Sequence, residues 1–107
     1  MAWTVQTFGR LVDDEVEGLP GDMRARLVRL SALIAQFGLQ SLPPATVKHL
    51  EARLWELRLT GRDGIARAIY VTASGQRVVI VRVFVKKTQK TPQRELEIAR
   101  QRAKEVI

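Results

Sequence analysis

Three lysines, Lys86, Lys87 and Lys90, fall in the short run from Phe84 to Pro92, at the seam between a Val/Ile-rich strand and a helix that carries both charge signs. A scaffold needs no cations at such a seam. A lysine crowded by other cations loses part of its preference for the charged form, so Lys86 and Lys87 suit proton transfer near neutral pH. Arg58 and Arg67 lie inside the two preceding strands. Each offers a planar fork that grips a phosphate through two hydrogen bonds. Cations of these two kinds on one surface point to a bound polyanion.

The other chemically capable residues are less persuasive. His49 is the sole histidine and sits between Lys48 and Leu50, ahead of a strand. There it suits a hydrogen bond at a helix end or loop better than catalysis. Trp55 alternates with Leu57 and Leu59, which places it in the core. Phe84 shares the charged face and is the better ring for stacking a base. Asp13, Asp14 and Glu15 have metal-ligand chemistry, but no His or Cys accompanies them to fix a geometry. No metal and no cofactor is therefore expected, and the acidic cluster reads as a solvated helix face or a patch for a partner protein.

The elements that position these residues follow from periodicity. Ala2–Phe8 alternates weakly and predicts a first strand, and Leu11–Leu19 a short helix. Met23, Leu27, Leu30, Ile34 and Phe37 recur at helical spacing, so Pro20 to Phe37 predicts a helix ended by Gly38. Residues 40–46, with Pro43 and Pro44, read as a loop. The period then becomes two over Leu54–Thr60, Ile65–Thr72 and Arg77–Lys86, with turns at Gly61–Gly64 and Ser74-Gly75. Thr91 and Pro92 suit the cap and first turn of a last helix, whose stripe is Leu96, Ala99, Ala103 and Val106. The expected fold is α+β: a small antiparallel sheet of an N-terminal strand plus a three-stranded meander, N-terminal helices packed on one face, and a C-terminal helix.

Register sharpens the expectation. Pairing Thr60 with Ile65 sets Arg58 across from Arg67, and pairing Ala73 with Gln76 sets Arg67 across from Arg82. Three arginines would then form a row on the face of Lys86. The reverse face would hold Trp55, Leu57, Leu59, Ala66, Ala68, Tyr70, Val79, Val81, Val83 and Val85. Opposed like charges cost stability, and Glu56 is the one acid expected on that face. An unneutralised row is therefore expected to hold a phosphate backbone, the alternative being long solvated side chains that cover the sheet with their stems.

At 107 residues the chain is long enough for one domain, residues 1–107, with a single core. It has no cysteine, which excludes disulfides and thiolate metal sites and fits a reducing cytoplasm. No leader-like opening and no apolar run approaching the ~20 residues of a membrane helix is present, so a cytoplasmic protein without membrane contact is expected. Residues 1–50 carry five basic and five acidic side chains, whereas residues 51–107 carry 13 and six, so the whole excess of +7 lies in the second half. Such asymmetry points to nucleic acid or an acidic protein, or else to a solubilising surface.

The segment from Val47 to Arg58 with its Trp55-Glu56-Leu57-Arg58, the Gly64-Ile65-Ala66-Arg67 strand with Tyr70, and the Phe84-Val85-Lys86-Lys87 run together resemble the phage-derived HigB-like branch of the RelE/ParE toxin superfamily. The resemblance covers nearly the whole chain. It implies the toxin of a two-gene toxin–antitoxin module, a metal-independent endoribonuclease that cuts mRNA in the ribosomal A site through attack of the 2′-hydroxyl on the adjacent phosphate. Arg58, Arg67 and Lys87 fall on the basic positions of the RelE group, which with Lys86 gives the expected catalytic set. Arg82, Phe84, Lys90 and Arg94 make the expected RNA-binding set. The expected partners are a helix-turn-helix antitoxin from the same operon, the 70S ribosome with its mRNA, and operator DNA reached only through the antitoxin. Two positions depart from the pattern. Gln93 or Arg94 stands where the RelE group has a tyrosine, and Arg82 stands where related sequences often have histidine. These departures leave the general base and acid open. They also keep open a non-catalytic function, either a ParE-like gyrase inhibitor or a basic RNA-binding accessory protein.

Overall fold

The computed structural model describes residues 3–87 and 90–106. Alternation of apolar and polar residues turns each successive side chain to the opposite face of a pleated ladder, and the second half of the chain forms one. Strands β2 (Val47–Glu51), β3 (Leu54–Gly61), β4 (Gly64–Ala73) and β5 (Arg77–Lys86) pair antiparallel in that order. The first strand, β1 (Thr4–Thr7), joins the far edge parallel to β5, giving the order β1-β5-β4-β3-β2. The α+β class and the meander are as the sequence predicts. The sheet differs in having one more strand, β2, and one parallel pairing, so it is mixed.

Helices α1 (Arg10–Glu17) and α2 (Gly21–Phe37) cover one face, and α3 (Gln93–Ala103) covers part of the other. The α2 stripe buries Met23, Leu27, Leu30 and Ile34 against Leu57, Leu59, Ala66, Ala68 and Tyr70. Phe37, the expected last member of the stripe, is 57% exposed. The helix ends at this residue and Gly38, at φ +90°, turns the chain away. Leu96, Ala99 and Ala103 of α3 pack on Leu54, Ile69, Val71, Val79 and Val81. The cap of α3 is Pro92 itself, while Thr91, expected as the cap, bonds elsewhere. Gly61 is required by close approach, since a Cβ there would meet Met23 Cγ at 2.7 Å. The neighbouring Asp22 carboxylate accepts from the backbone N–H of Arg62 and so ties α2 to the β3–β4 hairpin.

The β4–β5 turn decides the register. Gly75 (φ +79°) and Gln76 (φ +56°) are both left-handed, so the loop has three residues and Ala73 pairs with Arg77, one position beyond the expected partner. A bulge near Val81 then shifts the pairing by one more, placing Arg82 across from Ile69 and Arg67 across from Phe84. Before the bulge the faces are exchanged relative to the expectation. Val78 and Ile80 pack beneath α1 and α2, and Val79 and Val81 beneath α3. Past the bulge the two shifts cancel, and Val83 returns to the predicted face.

Candidate functional site

The paired strands bring Arg58, Arg67 and Phe84 side by side, with Arg58 directly across from Arg67 as predicted. The expected row of three arginines is thus two arginines and a phenylalanine. The two charges are only ~5 Å apart at the backbone, and such opposition is unfavourable unless a carboxylate relieves it. Glu56 does so. It is fully buried, it accepts from Nη1 of Arg67 through one oxygen, and it accepts from Oγ1 of Thr91 through the other at 3.1 Å. Arg67 is 2% exposed. The expectation of an open, unneutralised arginine row is corrected here, because Glu56 alternates onto the same face diagonally from Arg67.

Two lysines complete the cluster. Lys48 lies across from Glu56 on β2, and Lys86 across from Ile65 on β5. Burial, and after it the charge of Arg67, hold the Lys86 ammonium below its usual pKa of 10.5. Lys48 and Arg58 push the same way and Glu56 opposes them. Burial likewise lowers Arg67, with Glu56 opposing and Arg58 adding to the effect, yet a guanidinium stays charged. Four cations therefore share one carboxylate, which leaves three positive charges in excess. Arg58 is half-buried, its Nε is enclosed without an acceptor, and it makes no ion pair among the described residues. Its charge is one of the three that Glu56 leaves uncompensated.

The remaining expected residues divide into rim and frame. Lys87, Lys90 and Arg94 are exposed between the end of β5 and the first turn of α3, and Thr88 and Gln89 of the same run lie outside the described residues. Phe84 is half-buried and packs toward the α3 cluster. Arg82 belongs to the frame, its Nε donating to Glu95 at 2.6 Å and its Nη1 to Glu15 at 2.7 Å. Glu15, expected on a solvated helix face or a partner patch, is bound inside the protein. It also accepts from the backbone N–H of Val83 at 2.9 Å and from Arg102 at 2.9 Å, while Arg102 donates to the carbonyl of Val81 at 2.8 Å. The β1 ladder stops at Ile80. Beyond it, these two side chains satisfy the open edge of β5 as a strand would.

Trp55 shares the face of Leu57 and Leu59 but not their burial, being 38% exposed. Its ring lies 4.7 Å from that of His49, the residue across from it at the sheet's edge. Placement in the core is therefore corrected. His49 Nε2 donates to the carbonyl of Ala52 at 2.8 Å, the loop hydrogen bond its position suggests. Tyr70 is in the core as predicted, and burial pushes its hydroxyl up to about 12, too high for proton transfer near neutrality. Lys48 and Thr91 were absent from the expected site, and Glu56 was expected only as a neighbour. Alternation between Trp55 and Leu57 reads as a solvent-facing position, so the burial of Glu56 was not legible there; it comes with its tertiary partners, Arg67 and Thr91. Among the described residues, no His, Cys, Asp and Glu group is placed to hold a metal ion, and no helix is long and apolar enough to cross a membrane.

The chain thus folds as a small mixed sheet with helices on both faces and carries a cation cluster around a buried carboxylate. The sequence pattern of the family described as Phage derived protein Gp49-like (DUF891) matches residues 14–104, and the chain belongs to that family, which is related to the RelE-type toxins. Among curated proteins, none matches the chain.

Proposed function

We propose that this chain is the toxin of a toxin–antitoxin module, of the HigB-like branch, and that it cleaves mRNA on the ribosome without a metal. The reading rests on one observation above all: Lys48, Arg58, Arg67 and Lys86 converge from four strands around buried Glu56. Such a cluster holds a phosphodiester and stabilises the charge that builds on its oxygens, where one well-placed donor is worth ~3–4 kcal/mol of barrier. In the reaction the 2′-oxygen gives up its proton and bonds to phosphorus. The bond to the 5′-oxygen breaks, and that oxygen takes a proton, leaving a 2′,3′-cyclic phosphate.

Arg58 holds the non-bridging oxygens. Arg67, oriented by Glu56, supplies a second fixed charge behind it. Lys86, with its lowered pKa, accepts the 2′ proton as a neutral amine, and exposed Lys87 delivers one to the leaving oxygen. Lys90 and Arg94 grip flanking phosphates, and Phe84 offers its ring to a base. Arg82 holds α3 in place rather than RNA. The work is cytoplasmic, on mRNA in the 70S ribosome, and a helix-turn-helix antitoxin encoded in the same operon silences it and carries the complex to operator DNA.

The test is to induce the chain and map mRNA 5′ ends. New ends within translated codons are expected for the wild type and not for Arg58→Ala or Lys86→Met. Growth arrest without new ends would sink the cleavage mechanism and leave a ParE-like action on gyrase or RNA coating.

A further inference from the structure

The face of the sheet opposite the cation cluster carries a second recognition surface of the reverse character. Helices α1 and α2 both pack there but leave a groove of about 490 Å³ between them, beside β1. Its floor is Val5, Leu27 and Ile80, and its wall is Val28, which is 64% exposed. Asp13, Asp14 and Glu17 form the rim. Asp13 accepts from Thr7, Asp14 makes no ion pair among the described residues, and the approach of Arg24 to Glu17 is long, at 3.9 Å. Leu11, one helical turn before Asp14, is 60% exposed. An apolar groove with an acidic margin thus stands out on a chain of net charge +7. It lies at the β1 edge of the sheet, away from β2 and β3 where Lys48 and Arg58 sit.

This pattern selects its occupant. RNA is repelled by the three carboxylates. A second copy of this chain would bring its cationic face, but the large exposed apolar side chains on the described residues are Leu11, Val28, Phe37, Trp55 and Val85, and none is on that face. Filling the floor needs apolar side chains, and meeting the rim needs cations on the same segment. An amphipathic helix with Leu- or Ile-type residues on one stripe and Lys or Arg beside them supplies both. We infer that this groove docks such a basic amphipathic helix of the antitoxin, an inference that rests on the toxin reading. Docked there, the partner leaves the cation cluster uncovered and excludes the toxin from the A site by bulk.

The experiment titrates purified chain with the product of the adjoining gene. Val28→Asp and Asp14→Lys, both surface changes, are expected to raise Kd at least tenfold with unchanged thermal melting, and Arg58→Ala to leave Kd unchanged. Wild-type affinity in both groove variants, or loss of binding in Arg58→Ala, would overturn the docking site while leaving the toxin reading in place. If the wild type binds no neighbouring product, the toxin reading fails and this inference with it. Sedimentation of the chain alone is expected to show a monomer. Self-association abolished by Val28→Asp would make a second copy the occupant and overturn the proposal.

Discussion

The guanidinium of Arg67 donates to the carboxylate of Glu56 inside the sheet, and neither side chain is more than 3% exposed. Taking two charges out of water is costly, and the pair holds only while both partners are present. Arg67 is therefore a structural residue as well as one of the cations proposed to face the phosphate. Its loss strands a buried carboxylate.

Arg67→Ala is expected to lower stability by about 3–5 kcal/mol, and Glu56→Ala by a similar amount. The double change Glu56→Gln with Arg67→Met, which removes both charges, is expected to be milder than either single change. Urea denaturation of the three variants checks this. A stable Arg67→Ala protein would mean that the carboxylate finds another partner.

Lys86 makes the cluster sensitive to pH. Its folded pKa lies below the ordinary 10.5, so between the two values the unfolded chain binds the extra proton. The charged ammonium thus costs stability at neutral pH, and the cost is relieved as pH rises through the folded pKa. By the proposed mechanism, which needs the neutral amine, cleavage is expected to rise as pH passes the folded pKa. Rate against pH is expected to climb in the wild type and to lose that limb in Lys86→Arg.

Trp55→Ala is expected to cost about 1–2 kcal/mol, below the ~3–5 kcal/mol of a fully buried aromatic truncation, because the ring is partly in solvent beside His49. Thermal melting decides the matter. A core-sized loss would show that the indole carries more packing than its exposure implies.

Glu15→Ala removes one carboxylate from Arg82, Arg102 and the Val83 N–H together. With that N–H left unsatisfied beside two under-paired guanidinium groups, a loss of about 2–3 kcal/mol is expected. Hydrogen exchange should report it first in α3, which hangs from β5 through Arg102 and Glu95. Uniform loss of protection across the sheet would contradict a local role.

Much of this was legible in the sequence, for identifiable reasons. Strict alternation and the Gly61–Gly64 turn suffice to set Arg58 against Arg67. The α2 stripe follows from its spacing. The β4–β5 register did not follow, because a left-handed Gln76 and a bulge are choices that several turn sequences allow. Strand β2 was hidden because a five-residue edge strand after two prolines has too short a pattern to separate from loop. The partners of Glu15 were invisible for another reason, since nothing local reveals an ion pair closed over so much chain.

That span has a consequence for synthesis. Glu15 and Arg102 are 87 positions apart, and β1 must wait for β5 before it has a ladder to join. Closure over such separations is slow and is paid in chain entropy before contacts return it. A nascent chain stopped at Pro92 is expected to be cut by protease within α1, whereas the released protein is protected there; equal protection in both would refute the delay. Under the function proposed above, that delay would keep the chain unfinished, and so harmless, while its own ribosome is still at work on it.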